Sequence, residues 1–348
     1  MQKTSGTFIS IFKTMVLLTC FTLLLASSAL ANSISIPSAD SIEKTIKEAY
    51  EKYKDLKDGK NADYIPELAK VPSELFGIVV VTTEGKVYSI GDVDYSFAIE
   101  SVSKPFTLAL VMHELQSSKI IEEKIDVEPT GLPFNSVMAL EVLPSRAGNP
   151  LVNAGAMASV SLVPAKDKEE KFSKIIGFYE KLANSQLKVI DKIYQSESDT
   201  DCGNKALAFL LEKYGRIYAD TLETVDVYTK QCSIGVTAKQ LAVMGATLAN
   251  GGVNPLSNEM VIDRKFIPKI LAVMMMAGFY NESGYWAYNV GLPSKTGVGG
   301  GIVSIVPEEM AIVAFSPRLD EAGNSVRAMK AIEYISNKLG LNLFFTEK

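Results

Sequence analysis

A single histidine and three cysteines in 348 residues exclude a good deal at once. Zinc sites built on two or three imidazoles and clusters built on many thiolates cannot be assembled from such a chain, so its chemistry must run mainly without histidine. Charge of one sign is also lacking, with 35 Lys and Arg against 40 Asp and Glu. That balance fits neither a basic nucleic-acid surface nor a charge-driven disordered chain. There is no glycine period and no internal repeat. With 47% hydrophobic residues the sequence describes a folded, acidic globular protein with an ample core.

One long apolar run stands out, Met15 to Ala26, with Lys3 and Lys13 before it and Ala29-Leu30-Ala31 behind it. It is shorter than the ~20 residues a membrane span requires, and the basic, apolar and small-x-small order is that of a secretory signal. Residues 1–31 are therefore expected to be a signal peptide, and the mature chain to begin at Asn32 in a periplasm or outside the cell. Cleavage removes two lysines and no acid, leaving 317 residues with 33 basic and 40 acidic groups. No membrane or nucleic-acid surface is expected of that mature form. Cys202 and Cys232 remain, and an oxidising compartment permits a disulfide between them without requiring one.

Asp40 to Leu56 places Ile42, Ile46, Tyr50 and Tyr53 at helical spacing. Phe76 to Thr82, a Thr83-Glu84-Gly85-Lys86 turn and Val87 to Ile90 form a hairpin pattern. Gly301 to Val306, the turn Pro307-Glu308-Glu309 and Met310 to Phe315 form another, and Val326 to Leu339 closes the chain as an amphipathic helix. Between the hairpins the runs are helical, including Lys205 to Lys213, Ala238 to Asn250 and Phe266 to Ala277. The expected fold is α/β of the α+β type: an antiparallel sheet joined from both chain ends (about 32–105 and 290–348), flanked by helices, with an all-helical subdomain (about 106–289) inserted. The cleft between the two parts is the natural place for a site.

Ser101-Val102-Ser103-Lys104 opens a predicted helix, where a spacing of three puts both side chains on one face; a desolvated lysine there can lose its proton and act as base. Lys295-Thr296-Gly297 stands just before the last strand pair. An S-x-x-K followed, near the C-terminus, by a K-T-G is the pattern of the serine β-lactamase and penicillin-binding superfamily. The backbone N–H groups of Ser101 and Val298 can then form an oxyanion hole.

Further strings carry a closer resemblance. Ala62 to Ala69 (A-D-Y-I-P-E-L-A), Asn149 to Ala156 (N-P-L-V-N-A-G-A), Gln231-Cys232-Ser233, Leu248 to Pro255 (L-A-N-G-G-V-N-P) and Gly297 to Ile302 (G-V-G-G-G-I) resemble the serine-dependent glutaminases, over about Asp40 to Leu341. The resemblance implies a serine β-lactamase-like fold and hydrolysis of L-glutamine to L-glutamate and ammonia, with no metal and no organic cofactor. It places the nucleophile on Ser101 and the base on Lys104, with Tyr228 or Tyr280 sharing the proton transfer. Substrate contacts fall on Tyr64, Ser101, Asn153, Glu197, Asn204, Tyr228, Tyr280 and Val298. A carboxylate at Glu197 suits a free α-ammonium, and neutral groups such as Asn153, Asn204 and Tyr64 suit an α-carboxylate and an amide. Self-association as a homodimer or homotetramer is a further implication.

Thr296 stands where the family mostly has serine, and Lys205 where arginine is common. An exported β-lactamase or D,D-peptidase shares S-x-x-K and K-T-G, but Tyr228-Thr229-Lys230 lacks the asparagine of a Y-x-N string. An inactive ligand-binding or sensor domain of the same fold is the alternative from another class, against which stand the intact Ser101 and Lys104. His113, nine positions beyond Lys104, falls on the far side of its helix. Trp286 and Met274-Met275-Met276 read as core, Lys166 to Lys171 as a solvated face, and Asn61 as a cap on a short helix.

Overall fold

The computed structural model describes residues 36–345, so the expected signal peptide lies outside the described residues. Among those described, no helix is long and apolar enough to cross a membrane. The two hairpins foreseen from the ends of the chain meet in one antiparallel sheet of order β2-β1-β8-β7-β6, with β1 Gly77–Thr82, β2 Val87–Gly91, β6 Ser294–Thr296, β7 Gly301–Val306 and β8 Met310–Phe315. Strands β1, β7 and β8 are buried at every position, which is why they read as unbroken apolar runs rather than alternating ones. The edge strand β2 alternates, with Val87 exposed and Tyr88 buried.

Val79, Val81, Val303, Ile305, Ala311, Val313 and Phe315 turn one way into the main core. That face is covered by the helix Ala238–Ala249, which begins with a capping box between Thr237 and Gln240. Its Gly245 sets the approach: a Cβ there would lie 2.7 Å from Val303 Cγ2 and 2.8 Å from Ala311 Cβ. A helix expected in the inserted subdomain therefore belongs to the packing of the sheet. The helices Ala39–Tyr53 and Val326–Leu339 pack against each other and onto the strands. The mixed α/β class with an antiparallel sheet and flanking helices is as the sequence indicated.

One further sheet was not legible. Strands β3 Phe97–Ala98, β4 Lys188–Val189 and β5 Ile234–Val236 pair in the order β3-β5-β4, and β4 and β5 fall within the region read as all-helical. It ties the segment just before Ser101 to the end of the helix Thr221–Cys232.

Other readings resolve plainly. Asn61 donates to the carbonyls of Leu68 and Val71, closing the C-terminal end of the short helix Pro66–Ala69. Trp286 stacks on Phe279 at 4.1 Å and donates to Ser294 Oγ, as a core residue does. Lys171 corrects the solvated reading of its segment: it is buried and caps the carbonyls of Val160, Ser161 and Val163.

Candidate active site

Ser101 sits in a 3-10 turn, Glu100–Ser103, that runs directly into the helix Lys104–Leu115, whose second residue is Pro105. Proline near a helix start costs no hydrogen bond and fixes the entry. Ser101 is 8% exposed and Lys104 1%. The continuous turn puts the two on one face, as the spacing required, but Lys104 Nζ donates to Asn153 Oδ1 at 2.6 Å. The Ser101 hydroxyl meets Tyr280 instead.

Asn153 is the junction of the site. Its Oδ1 accepts from Lys104 and from the Tyr228 hydroxyl at 3.1 Å, and its Nδ2 donates to Asn204 Oδ1 at 3.0 Å. It opens the helix Asn153–Leu162, its main-chain N–H bonded to Phe134 O. Gly155 allows this helix to start where it does, because a Cβ there would sit 1.9 Å from Asn149 O. The N-P-L-V-N-A-G-A string thus encodes the turn that aims Asn153.

Lys295 is fully buried on β6 and donates to Gly278 O, Thr296 O and, at 3.0 Å, the Tyr280 hydroxyl. The glycines after it bring strand and nucleophile together. A Cβ on Gly297 would lie 3.1 Å from Val102 N and 3.1 Å from Ile99 O, and one on Gly299 would lie 2.2 Å from Ala98 O. Only a chain without side chains can rest its backbone on the Ser101 turn this way. Val298 between them is anchored in a small cluster with Ala62, Ile65, Leu68, Ala98 and Leu319.

Burial sets the electrostatics. Desolvation lowers Lys104 to about 8 and Lys295 well below the ordinary lysine value, the latter further depressed by Lys104. Burial pushes the Tyr228 and Tyr280 hydroxyls up, the Ser101 contact pulling Tyr280 partly back. Tyr64, at the rim, is 54% exposed as a residue, yet burial around its hydroxyl, with Glu100, Tyr280 and Glu197 nearby, pushes that hydroxyl up as well. A cavity of about 550 Å³ opens beside Tyr64, lined also by Asn61, Phe134, Glu282 and Asp320. Phe134 packs on Tyr280 at 5.1 Å, so this cavity borders the buried site without containing Ser101 or Lys104.

The fold thus brings Ser101, Lys104, Asn153, Asn204, Tyr228 and Tyr280 into one connected cluster, with Glu197 buried on the helix Asp191–Thr200, Tyr64 on the rim and Val298 by the glycine loop. A family described as Glutaminase matches residues 59–344. The chain belongs to the glutaminase family. A glutaminase of Colwellia psychrerythraea (strain 34H) is 50% identical over 308 residues, covering 88% of this chain and 99% of that one. One from Escherichia coli O81 (strain ED1a) is 48% identical over 306 residues, covering 88% and 98%. Among solved structures, "Probable glutaminase ybaS" is 48% identical with a TM-score of 0.87, covering 89% of this chain and all of that one. A Bacillus glutaminase solved in 4.3 M NaCl is 30% identical with a TM-score of 0.80, covering 87% and 99%.

Within this glutaminase-family site, sequence reasoning missed three residues. Glu100 is 3% exposed with its carboxyl beside Glu197, and its only signal was a lone acid in the apolar run Phe97 to Val102. Gln231 donates to Ser103 Oγ and accepts from Thr107 Oγ1, bracing the turn from behind. Phe134 gave no signal. Cys202 and Cys232 are both free, the first exposed and the second buried next to Glu100 and Glu197. His113 lies against Phe178, with no role at Ser101.

Proposed function

We propose that this member of the glutaminase family hydrolyses the side-chain amide of L-glutamine to L-glutamate and ammonia through a serine acyl-enzyme. The observation that carries the reading is Lys104: fully buried, held by Asn153 at 2.6 Å, and keeping its proton only to about pH 8 because burial disfavours its charge. Such an amine is a competent base near neutral pH.

In this scheme Ser101 Oγ attacks the amide carbon, and its proton passes to Lys104, with Tyr280 beside the hydroxyl to relay it. The oxyanion rests on the N–H groups of Ser101 and Val298. The C–N bond then breaks, and the nitrogen takes the proton and leaves as ammonia. Water gives a proton to Lys104 and attacks the ester, and glutamate leaves as the proton returns to Ser101. No metal or organic cofactor enters any step. Glu197 takes the α-ammonium, and Tyr64, Asn153, Asn204 and Tyr228 serve the α-carboxylate and the amide. Thr296 Oγ1 beside Lys295 is buried with no hydrogen-bond partner among the described residues.

The residue 1–31 signal pattern supports export, so expression of the full chain in a Gram-negative host is expected to yield a periplasmic product starting at Asn32 by mass spectrometry. That product should release ammonia and glutamate from L-glutamine, Ser101→Ala should abolish the release, and a chromogenic cephalosporin should stay intact. Opening of the cephalosporin with glutamine inert would make the cleft a β-lactam site instead.

A further inference from the structure

Two carboxyl groups share the buried wall behind Ser101. Glu100 and Glu197 are 3% and 9% exposed, and ligand atoms of Glu100, Glu197 and Cys232 lie within 4.8 Å of one another. Each glutamate keeps one oxygen, Oε1, buried with no hydrogen-bond partner among the described residues. Glu100 is held in place by its backbone, a left-handed φ of 49°, and by Gly299, where a Cβ would press on Glu100 Cγ at 3.2 Å. Two bare carboxylates at this range and burial repel strongly, and the arrangement is stable only if one of them keeps a proton.

We propose that Glu100 is a neutral acid that donates its proton in a hydrogen bond to Glu197, and that this makes it a positioning residue, keeping Glu197 ionised and aimed for the substrate's α-ammonium. The inference rests on the reading of Glu197 as the ammonium contact. It assigns the proton to the more deeply buried carboxyl, Glu100 at 3% exposure against 9% for Glu197, because burial disfavours charge most there, although one neighbour pulls the other way. Lys104, on the Glu100 side, favours charge there, whereas Cys232 and Tyr228 from the helix Thr221–Cys232, Tyr64 from the rim and Tyr280 from its 3-10 turn offer neutral groups. Burial and the facing Glu197 raise Glu100 well above an ordinary carboxyl, while Glu197 rises only to about 7, burial pushing it up and the Glu100 hydrogen bond pulling it down. Substrate affinity should therefore fall as pH drops through about 7, as Glu197 gains its own proton.

The test measures the Kd of L-glutamine by calorimetry from pH 5.5 to 8.5 in the Ser101→Ala protein, which removes turnover. Glu100→Ala deletes the donor. It is expected to weaken binding at pH 7 about ten- to a hundredfold, the worth of a hydrogen bond to a charged group, and to move the acid limb of the Kd profile to higher pH by about one unit or more. Glu100→Gln, which keeps an N–H donor without a charge, should recover most of the loss and return the limb. If Glu100→Gln is as damaging as Glu100→Ala, Glu100 acts as a charged contact and the proposal fails. If Glu100→Ala leaves Kd and limb in place, Glu100 is structural only and the proposal again fails. Glu197→Gln separates the two readings: unmoved affinity there would remove the ammonium assignment itself, whereas lost affinity there with an inert Glu100→Ala would sink only this inference.

Discussion

Replacing Asn153 by aspartate puts a charge at the centre of the site, keeps the side chain's shape, and exchanges the Nδ2 that donates to Asn204 Oδ1 for an acceptor, which the Asn204 amide meets by turning its Nδ2 inward. In the native protein Oδ1 accepts from Lys104 Nζ at 2.6 Å and from the Tyr228 hydroxyl at 3.1 Å, and both bonds survive in Asn153→Asp. The new carboxylate favours the protonated lysine, and an opposite charge at this range moves a pKa by about 1–3 units. Lys104 would then rise from about 8 to the region of 9 to 11. At pH 7 roughly a tenth of the native lysines are free base, against roughly one in a hundred to one in ten thousand in the variant. Glutaminase kcat/KM at pH 7 should thus fall by about ten- to a thousandfold and climb back as pH is raised, its acid limb displaced by the same 1–3 units. Ammonia release followed from pH 6 to 10.5, with thermal unfolding as a check that the fold is kept, decides the matter. A loss of equal size at every pH, with the limb unmoved near 8, would refute Lys104 as the group whose deprotonation limits the reaction.

Close packing at one glycine and a buried lysine away from the site govern stability. Gly155→Ala must push the helix Asn153–Leu162 off Asn149 O, at about 1–3 kcal/mol by the cost of overpacking, whereas Gly177→Ala, inside the helix Lys168–Ala183 with nothing within 4 Å, should gain up to about 1 kcal/mol; equal urea midpoints for the two would contradict the packing argument. Burial lowers Lys171 to about 8, below its unfolded value of about 10.4, so the unfolded chain binds more protons between those limits and stability should rise with pH through that window, Lys104 and Lys295 acting in the same sense. Lys171→Met should flatten that rise and cost about 1–3 kcal/mol for the carbonyls of Val160, Ser161 and Val163 it leaves unpaired, read from urea unfolding at pH 7.5 and 10.

What the sequence made legible was local. The hairpins were readable because each is a pair of apolar runs around a polar turn, and Ser101 with Lys104 because a spacing of three is one face of any helical turn. Strands of two or three residues such as β3, β4 and β5 are too short to display a period. Lys171 misled because it ends a run of charges that reads as solvated, and Glu100 went unread inside an apolar run; both are exceptions to the rule that charged residues are seldom fully buried. What holds them lies outside the local pattern, the end of the preceding helix for Lys171 and the sequence-distant Glu197 for Glu100.

The backbone around the nucleophile carries a second kind of information that composition conceals. Glu100, the residue before Ser101, and Tyr280, which touches the Ser101 hydroxyl, are both left-handed, with φ of 49° and 56°. Neither residue type favours that region, and each such position costs roughly 1–3 kcal/mol that the surrounding packing must offset. Glycine would remove the cost at either place, and would also remove the carboxyl or the hydroxyl that faces the reacting group. The strain therefore sits where side-chain chemistry and backbone conformation make opposing demands. Chemistry prevails because the Lys295 bond to the Tyr280 hydroxyl and the close approach of Gly299 to Glu100 hold both residues from outside the turn.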